Sequence, residues 1–159
     1  MPCYFIDVKG FVGNGNVILF KELCILNANN VLKPFHQVYS NLTDWDKLSF
    51  SVQIFNEKLR QRLTLNWEEG KDIFCPQCIM HNFNDETSIF YVVNDETGIK
   101  SGLLKQHFPT WRFVNYIFKP FAVLELPINI TCPWREHGTL CAYKTCLLAC
   151  LDYLSINEW

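Results

Sequence analysis

A chain of 159 residues, 49% hydrophobic and 19% charged, can bury a real core and is too apolar to remain disordered. Its net charge of -2 and pI of about 6.1 exclude a global basic field of the kind that drives nonspecific binding to nucleic acids or anionic membranes. No apolar run approaches the ~18 residues of a membrane span, and no basic leader precedes residues 4 to 12, so the expectation is one intracellular domain (1 to 159), in cytoplasm or nucleus, with no membrane contact.

Residues 4 to 12 predict a strand, ended by the turn signal Gly13-Asn-Gly-Asn16. Residues 17 to 27 predict a second strand, apolar on both faces and therefore central. Asn27 to Asn30 turn the chain into a third strand around Phe35 to Tyr39, which makes an antiparallel meander. Leu48, Val52, Phe55, Leu59 and Leu63 then recur at helical spacing, with Glu57, Lys58, Arg60 and Arg62 opposite. A second helix is expected from Glu68 to about His81, kinked or delayed by Pro76. A strand at 88 to 93, a helix from Gly98 to Phe108, and strands at 112 to 118 and 121 to 126 follow. A closing helix runs from about Thr139 to Leu154, with Leu140, Tyr143, Leu147, Leu151 and Leu154 on one face. Three antiparallel strands followed by alternating strands and helices imply an α/β (α+β) mixed sheet covered by helices. This is the element order of the ribonuclease H-like fold.

The densest chemistry lies in Cys132-Pro-Trp-Arg-Glu-His137-Gly-Thr-Leu-Cys141, two thiols and an imidazole just before the closing helix. Thiolate and neutral imidazole suit tetrahedral zinc, and one more ligand would complete the set. Glu22, an acid inside the apolar run 17 to 26, supplies a candidate, because a carboxylate buried in a central strand needs a partner or a metal. The alternative is a loop with a surface His and two ordinary thiols, since the spacing matches no standard finger. Cys75-Pro-Gln-Cys78 with His81 is a second constellation, readable as a metal knuckle, a redox pair or plain thiols. In a reducing compartment the eight cysteines are otherwise buried fillers, Cys146 and Cys150 among them.

Asp7 follows Phe5-Ile6 in the first strand, where nucleases of the ribonuclease H-like class place a magnesium ligand with a Glu two residues on. This chain has Lys9 there, and a cation opposes a hard divalent ion. Asp85, Glu86, Asp95 and Glu96 read as solvated turn residues, so no two-metal set assembles. Lys100, Lys105, Arg112 and Lys119 alternate with Phe108, Trp111, Phe113 and Tyr116. That pattern can track and stack a single strand, or it can be a solvated helix face beside a core strand.

With Glu22 and the Cys/His cluster set beside the element order, the chain resembles the Maelstrom domain. The resemblance rests on Phe-Lys-Glu22-Leu-Cys-Ile, on Phe-His36-Gln-Val-Tyr, and on the segment Cys132 to Leu154. It covers the two ends of the chain and little of the middle. The family pattern is Cys-x2-His-x5-Cys; here it is Cys-x4-His-x3-Cys, with Arg135 at the usual His position. The resemblance implies a ribonuclease H-like fold related to the DEDD exonucleases whose carboxylates are lost. It also implies a structural zinc on Glu22, Cys132, His137 and Cys141, and a role in small-RNA (piRNA) and transposon silencing through single-stranded RNA or protein partners of a silencing complex. A pure protein-interaction module, and a nuclease with a non-standard, magnesium-independent site, remain the alternatives.

Overall fold

A computed structural model describes residues 3–40, 43–63, 67–68, 70–83, 88–117 and 142–157. The first strand, β1 (Cys3–Val12), turns through a short 3-10 segment at Asn14–Asn16 into β2 (Ile18–Asn27), which pairs antiparallel with it. β3 (Phe35–Val38) adds antiparallel to the far side of β2. After α1 (Phe50–Leu63) and α2 (Pro76–Asn82) comes β4 (Ile89–Val93), parallel to β1. Next follow α3 (Ile99–His107), β5 (Arg112–Tyr116), parallel to β4, and α4 (Ala142–Asn157). The sheet order is β3-β2-β1-β4-β5, so the protein is α/β with a mixed five-stranded sheet. The expected strand at 121 to 126 lies outside the described residues. Among the described residues no helix is long and apolar enough to cross a membrane.

β1 lies between an antiparallel and a parallel neighbour, and its two faces read differently. Phe5 packs with Cys24 and Leu26 of β2 under Tyr143, Cys146, Leu147 and Cys150 of α4. Ile6 and Val8 point the other way, into a core with Ile79 of α2 and Leu104 of α3. Each of these side chains is withdrawn from water, which contributes about 1.5–3 kcal/mol per large apolar residue. The closing helix buries Cys146 and Cys150 as small hydrophobes, as the sequence suggests.

Two local expectations are refined. The second helix does not begin at Glu68; Pro76 is its first residue, where a missing N–H costs nothing. In α1 the apolar spacing rightly turns Val52 and Leu59 toward the core of Phe11, Leu48 and Trp67, but it misplaces Phe55. Phe55 is 53% exposed, whereas Asn56 is fully buried. Its amide pairs with both backbone groups of Val12 (2.9 and 2.7 Å), acting as an extra ladder step at the end of β1. Lys21 is wholly buried beside Glu22, and its ammonium donates to the carbonyls of Tyr39 (2.9 Å) and Trp67 (2.7 Å). It ties the chain around residue 67 to the sheet. Gly70 completes that junction with φ +113°, where a Cβ would run into the Tyr39 carbonyl.

Candidate functional site

Directly opposed residues of an antiparallel pair share a face. Asp7 lies opposite Cys24, Lys9 opposite Glu22, and Cys24 in turn opposite His36. The α4-covered face of the sheet therefore carries a charged band of Asp7, Lys9, Glu22 and His36 beside the thiol of Cys24. Two separate arrangements are built from it.

The first centres on Asp7, whose side chain is 2% exposed. Its Oδ1 accepts from the Lys100 ammonium at 2.7 Å, and the same ammonium donates to the Val93 carbonyl at 3.0 Å. Lys100 reaches this point because α3 starts just past the end of β4, and that start is fixed by Asp95. The Asp95 carboxylate accepts from the amides of Lys100 and Ser101, both at 3.0 Å, and from the Ser101 hydroxyl. Asn115 of β5 holds the Asp95 backbone from both sides, at 3.0 and 2.7 Å. Asp95 is thus 4% exposed, not the solvated turn residue its sequence context suggests. Burial works to raise its pKa, but the hydrogen bonds from Ser101 and Lys100 and the Lys100 charge win and lower it. Glu96 is exposed as expected, and Asp85 and Glu86 lie outside the described residues.

Chemically this is a cation-filled carboxylate site. The second carboxylate near Asp7 is committed to a helix terminus, Lys9 stands two residues away, and an ammonium takes up Asp7. An apolar cleft of about 460 Å³ opens beside it, lined by Lys9, Phe11, Phe55, Ile99, Lys100 and Leu103.

The second arrangement joins Glu22 and His36, whose side chains are 1% and 2% exposed. His36 Nε2 and Glu22 Oε2 are 2.7 Å apart, and Glu22 Oε1 accepts from the Ala142 amide at 3.1 Å, at the start of α4. The buried acid thus has the partners that burial demands. His36 was matched only as part of a strand, yet it is the imidazole in contact with Glu22. The signal that could have found it is the two-residue alternation of β3, which puts His36 and Val38 on the face that carries Glu22. Of the expected zinc residues, Glu22 lies within the sheet; Cys132, His137 and Cys141 lie outside the described residues. Among the described residues no three His, Cys, Asp or Glu side chains group closely enough to hold a metal. The fit to zinc is judged on one orphan: among the described residues, the buried His36 Nδ1 meets no hydrogen-bond partner. A buried imidazole nitrogen beside a carboxylate is the kind of donor zinc accepts.

The remaining expectations sort as follows. Cys75 and Cys78 are bridged to each other, with their Cα atoms 5.4 Å apart, which takes both sulfurs out of a metal knuckle with His81. In the basic and aromatic stretch, Arg112 is exposed, Lys105 donates to the Trp111 carbonyl at 2.8 Å, and Lys100 is engaged with Asp7. Lys119 lies outside the described residues. Trp111 is 5% exposed and stacked on both faces, by Phe90 at 4.1 Å and Phe108 at 4.3 Å. Its rings and those of Phe108 belong to the core and offer no platform to a base.

Compared with known proteins, the chain matches no family model, and no curated protein matches it.

Proposed function

We propose that the chain is a ribonuclease H-like module in which two-metal catalysis has been replaced by an internal ion pair, retained for binding and held together by a structural zinc. The strand order β3-β2-β1-β4-β5, with β2 antiparallel and β4 and β5 parallel to β1, supports the fold reading. The observation that carries the functional reading is the Lys100 ammonium at 2.7 Å from the buried Asp7 carboxylate. A two-metal mechanism needs several oxygen ligands converging on divalent ions and a substrate phosphate. Here a fixed positive charge stands against the carboxylate of β1, and Asp95 is used as a cap.

The module takes single-stranded RNA or acts as an adaptor within a small-RNA silencing complex. Zinc would be held by Glu22 with Cys132, His137 and Cys141, joining β2 to the start of α4. The ion would supply folding energy and no chemistry. A protein-interaction role has its own support. Phe55 of α1 and Ile99 of α3 are exposed apolar residues that line the Lys9/Lys100 cleft, and α1 also exposes Phe50 (76%) and Ile54.

Two measurements on the purified chain test this. Labelled single-stranded and duplex RNA are titrated at low and high salt; single-strand preference that weakens with salt is expected for RNA binding. Absence of any binding at low salt turns the reading to the adaptor. Digestion of single strands is then followed with and without magnesium. Magnesium-dependent digestion abolished by Asp7→Ala would overturn the proposal.

A further inference from the structure

We propose that Cys75 and Cys78 are a redox-active pair that undergoes exchange with thiols, a site that stands apart from the zinc and RNA readings above. The two sulfurs are joined, across Cα atoms 5.4 Å apart, at the start of α2. As a staple the bridge does little, because closing so short a loop restrains the unfolded chain least. Both ends of the loop are also pinned by other means. Phe74, directly before Cys75, sets its ring against Phe20 (4.9 Å) and Tyr39 (5.1 Å). Ile79, directly after Cys78, is 2% exposed in the core that holds Leu104 and Phe108. The scaffold therefore keeps the two sulfurs adjacent whether or not they are joined, and the bond can open and close without refolding.

Access and hydrogen bonding favour exchange. Cys78 is exposed and Cys75 half-buried, whereas Cys24, Cys146 and Cys150 are wholly buried. An incoming thiolate attacks the more accessible sulfur, that of Cys78, to form a mixed disulfide, and the Cys75–Cys78 bond breaks with its electron pair leaving on Cys75. The Cys78 amide donates to Cys75 Sγ at 3.3 Å, so an N–H already meets the atom that receives the negative charge. A second thiolate then attacks the sulfur of the first in the mixed disulfide and displaces Cys78. Two external thiols end as one disulfide, and their two electrons and two protons end on Cys75 and Cys78. Two sources of thiol fit this chemistry: a free small thiol, or a peptide cysteine beside the apolar cleft of about 500 Å³ that Ile73 and Phe74 line just before the pair.

The test uses the whole chain. Oxidised protein is equilibrated with graded ratios of reduced to oxidised glutathione at neutral pH, quenched in acid, alkylated, and mapped by mass. Cys75 and Cys78 should gain their labels together, with the near-ultraviolet circular dichroism of the folded chain unchanged. Cys75→Ser should hold one glutathione on Cys78 as a stable mixed disulfide, and Cys78→Ser should react about tenfold more slowly, since only the half-buried sulfur remains. A dithiol peptide with leucine beside each cysteine is run as a second arm at equal thiol concentration. Faster opening by the peptide assigns the site to protein thiols, and faster opening by glutathione assigns it to small ones. A pair that opens only after urea unfolds the chain would be a structural cross-link and would overturn the proposal. So would a folded chain in which each thiol takes up its own glutathione and no bridge forms.

Discussion

Replacing Lys100 by Met removes the ammonium, keeps most of the stem that packs on the apolar cleft, and leaves the Asp7 carboxylate buried beneath α4. Removing one partner of a buried pair typically costs about 3–5 kcal/mol, because the remaining charge is uncompensated. The Asp7 side chain is 2% exposed but that of Lys100 is 31% exposed, so water screens part of the interaction and the lower end applies, about 3 kcal/mol. The lost bond to the Val93 carbonyl falls within that figure. Urea unfolding reads it directly: with a slope of about 2 kcal/mol per molar, the midpoint should drop by about 1.5 M at unchanged slope. The double variant Asp7→Asn/Lys100→Met removes both charges and should recover more than half of the loss, since a neutral pair has no buried charge to compensate. A Lys100→Met midpoint within about 0.3 M of wild type, which is roughly 0.6 kcal/mol at that slope, would refute the claim that the ammonium is a structural counterion.

Other outcomes follow from the same geometry. Asp95→Ala removes the side-chain cap of α3 and should cost about 1–2 kcal/mol by urea unfolding, with Asp95→Asn recovering part of it. Because hydrogen bonds and the Lys100 charge hold the Asp95 pKa below its ordinary 3.8, its contribution is complete above that value. It should be lost as acid titration passes down through the lowered pKa, and an Asp95→Asn chain should show a flatter acid limb. His107 runs the other way: burial beside Phe20 and Phe74 lowers its pKa from 6.5. Below pH 6.5 the unfolded chain binds the proton more readily, so stability should fall with pH down to the lowered value, and His107→Phe should remove that slope. Burial pushes the Cys150 thiol up to about 11 and Cys146 well above its ordinary value, so neither should react with a thiol reagent at pH 8 until the chain is unfolded, as read by mass mapping. Chelation of the proposed zinc should lower the melting temperature; even a 3 kcal/mol loss corresponds to roughly 6–12 °C at this chain length.

The strands were the most legible part of the sequence, because their apolar runs are bounded by the Gly and Asn turns at 13–16 and 27–30. Helix faces were less so. Asn56 is buried because it bonds to Val12, a residue 44 positions away, and no local periodicity contains that fact. Asp95 failed for the same reason: it stands in Asn-Asp-Glu-Thr-Gly, a string that reads as solvent-facing, and only the packing of β5 supplies Asn115 to bury it. The alternation of Lys and Arg with aromatics read equally well as a stacking surface. Trp111 shows why composition could not decide, since one aromatic ring can stack on a base or between two neighbours, and here the neighbours are Phe90 and Phe108. Glu22 is singled out by the sequence as a buried acid in need of a partner, and the side chain found in contact with it is His36, on an adjoining strand.

Two buried carboxylates sit on one face of the sheet, and the chain neutralises them in different ways. Asp7 is met by a lysine that arrives from α3, so its positive charge is covalent and permanent. Glu22 is met by an imidazole, which can be a neutral donor, and by a backbone amide at the start of α4. A fixed ammonium leaves no vacancy for an ion of the same sign, whereas a neutral imidazole leaves one ring nitrogen with a lone pair to give. This asymmetry separates the two sites by physical chemistry alone. A divalent ion is thus opposed at Asp7, whereas the zinc proposed above would sit by Glu22 and fasten α4 to β2. Adding magnesium and adding zinc should therefore have unlike effects on the same preparation: magnesium neither stabilises nor activates, and zinc raises the unfolding midpoint. Equal stabilisation by both ions would mean that the carboxylates bind cations as exposed acids do, and the separation drawn from Lys100 and His36 would fail.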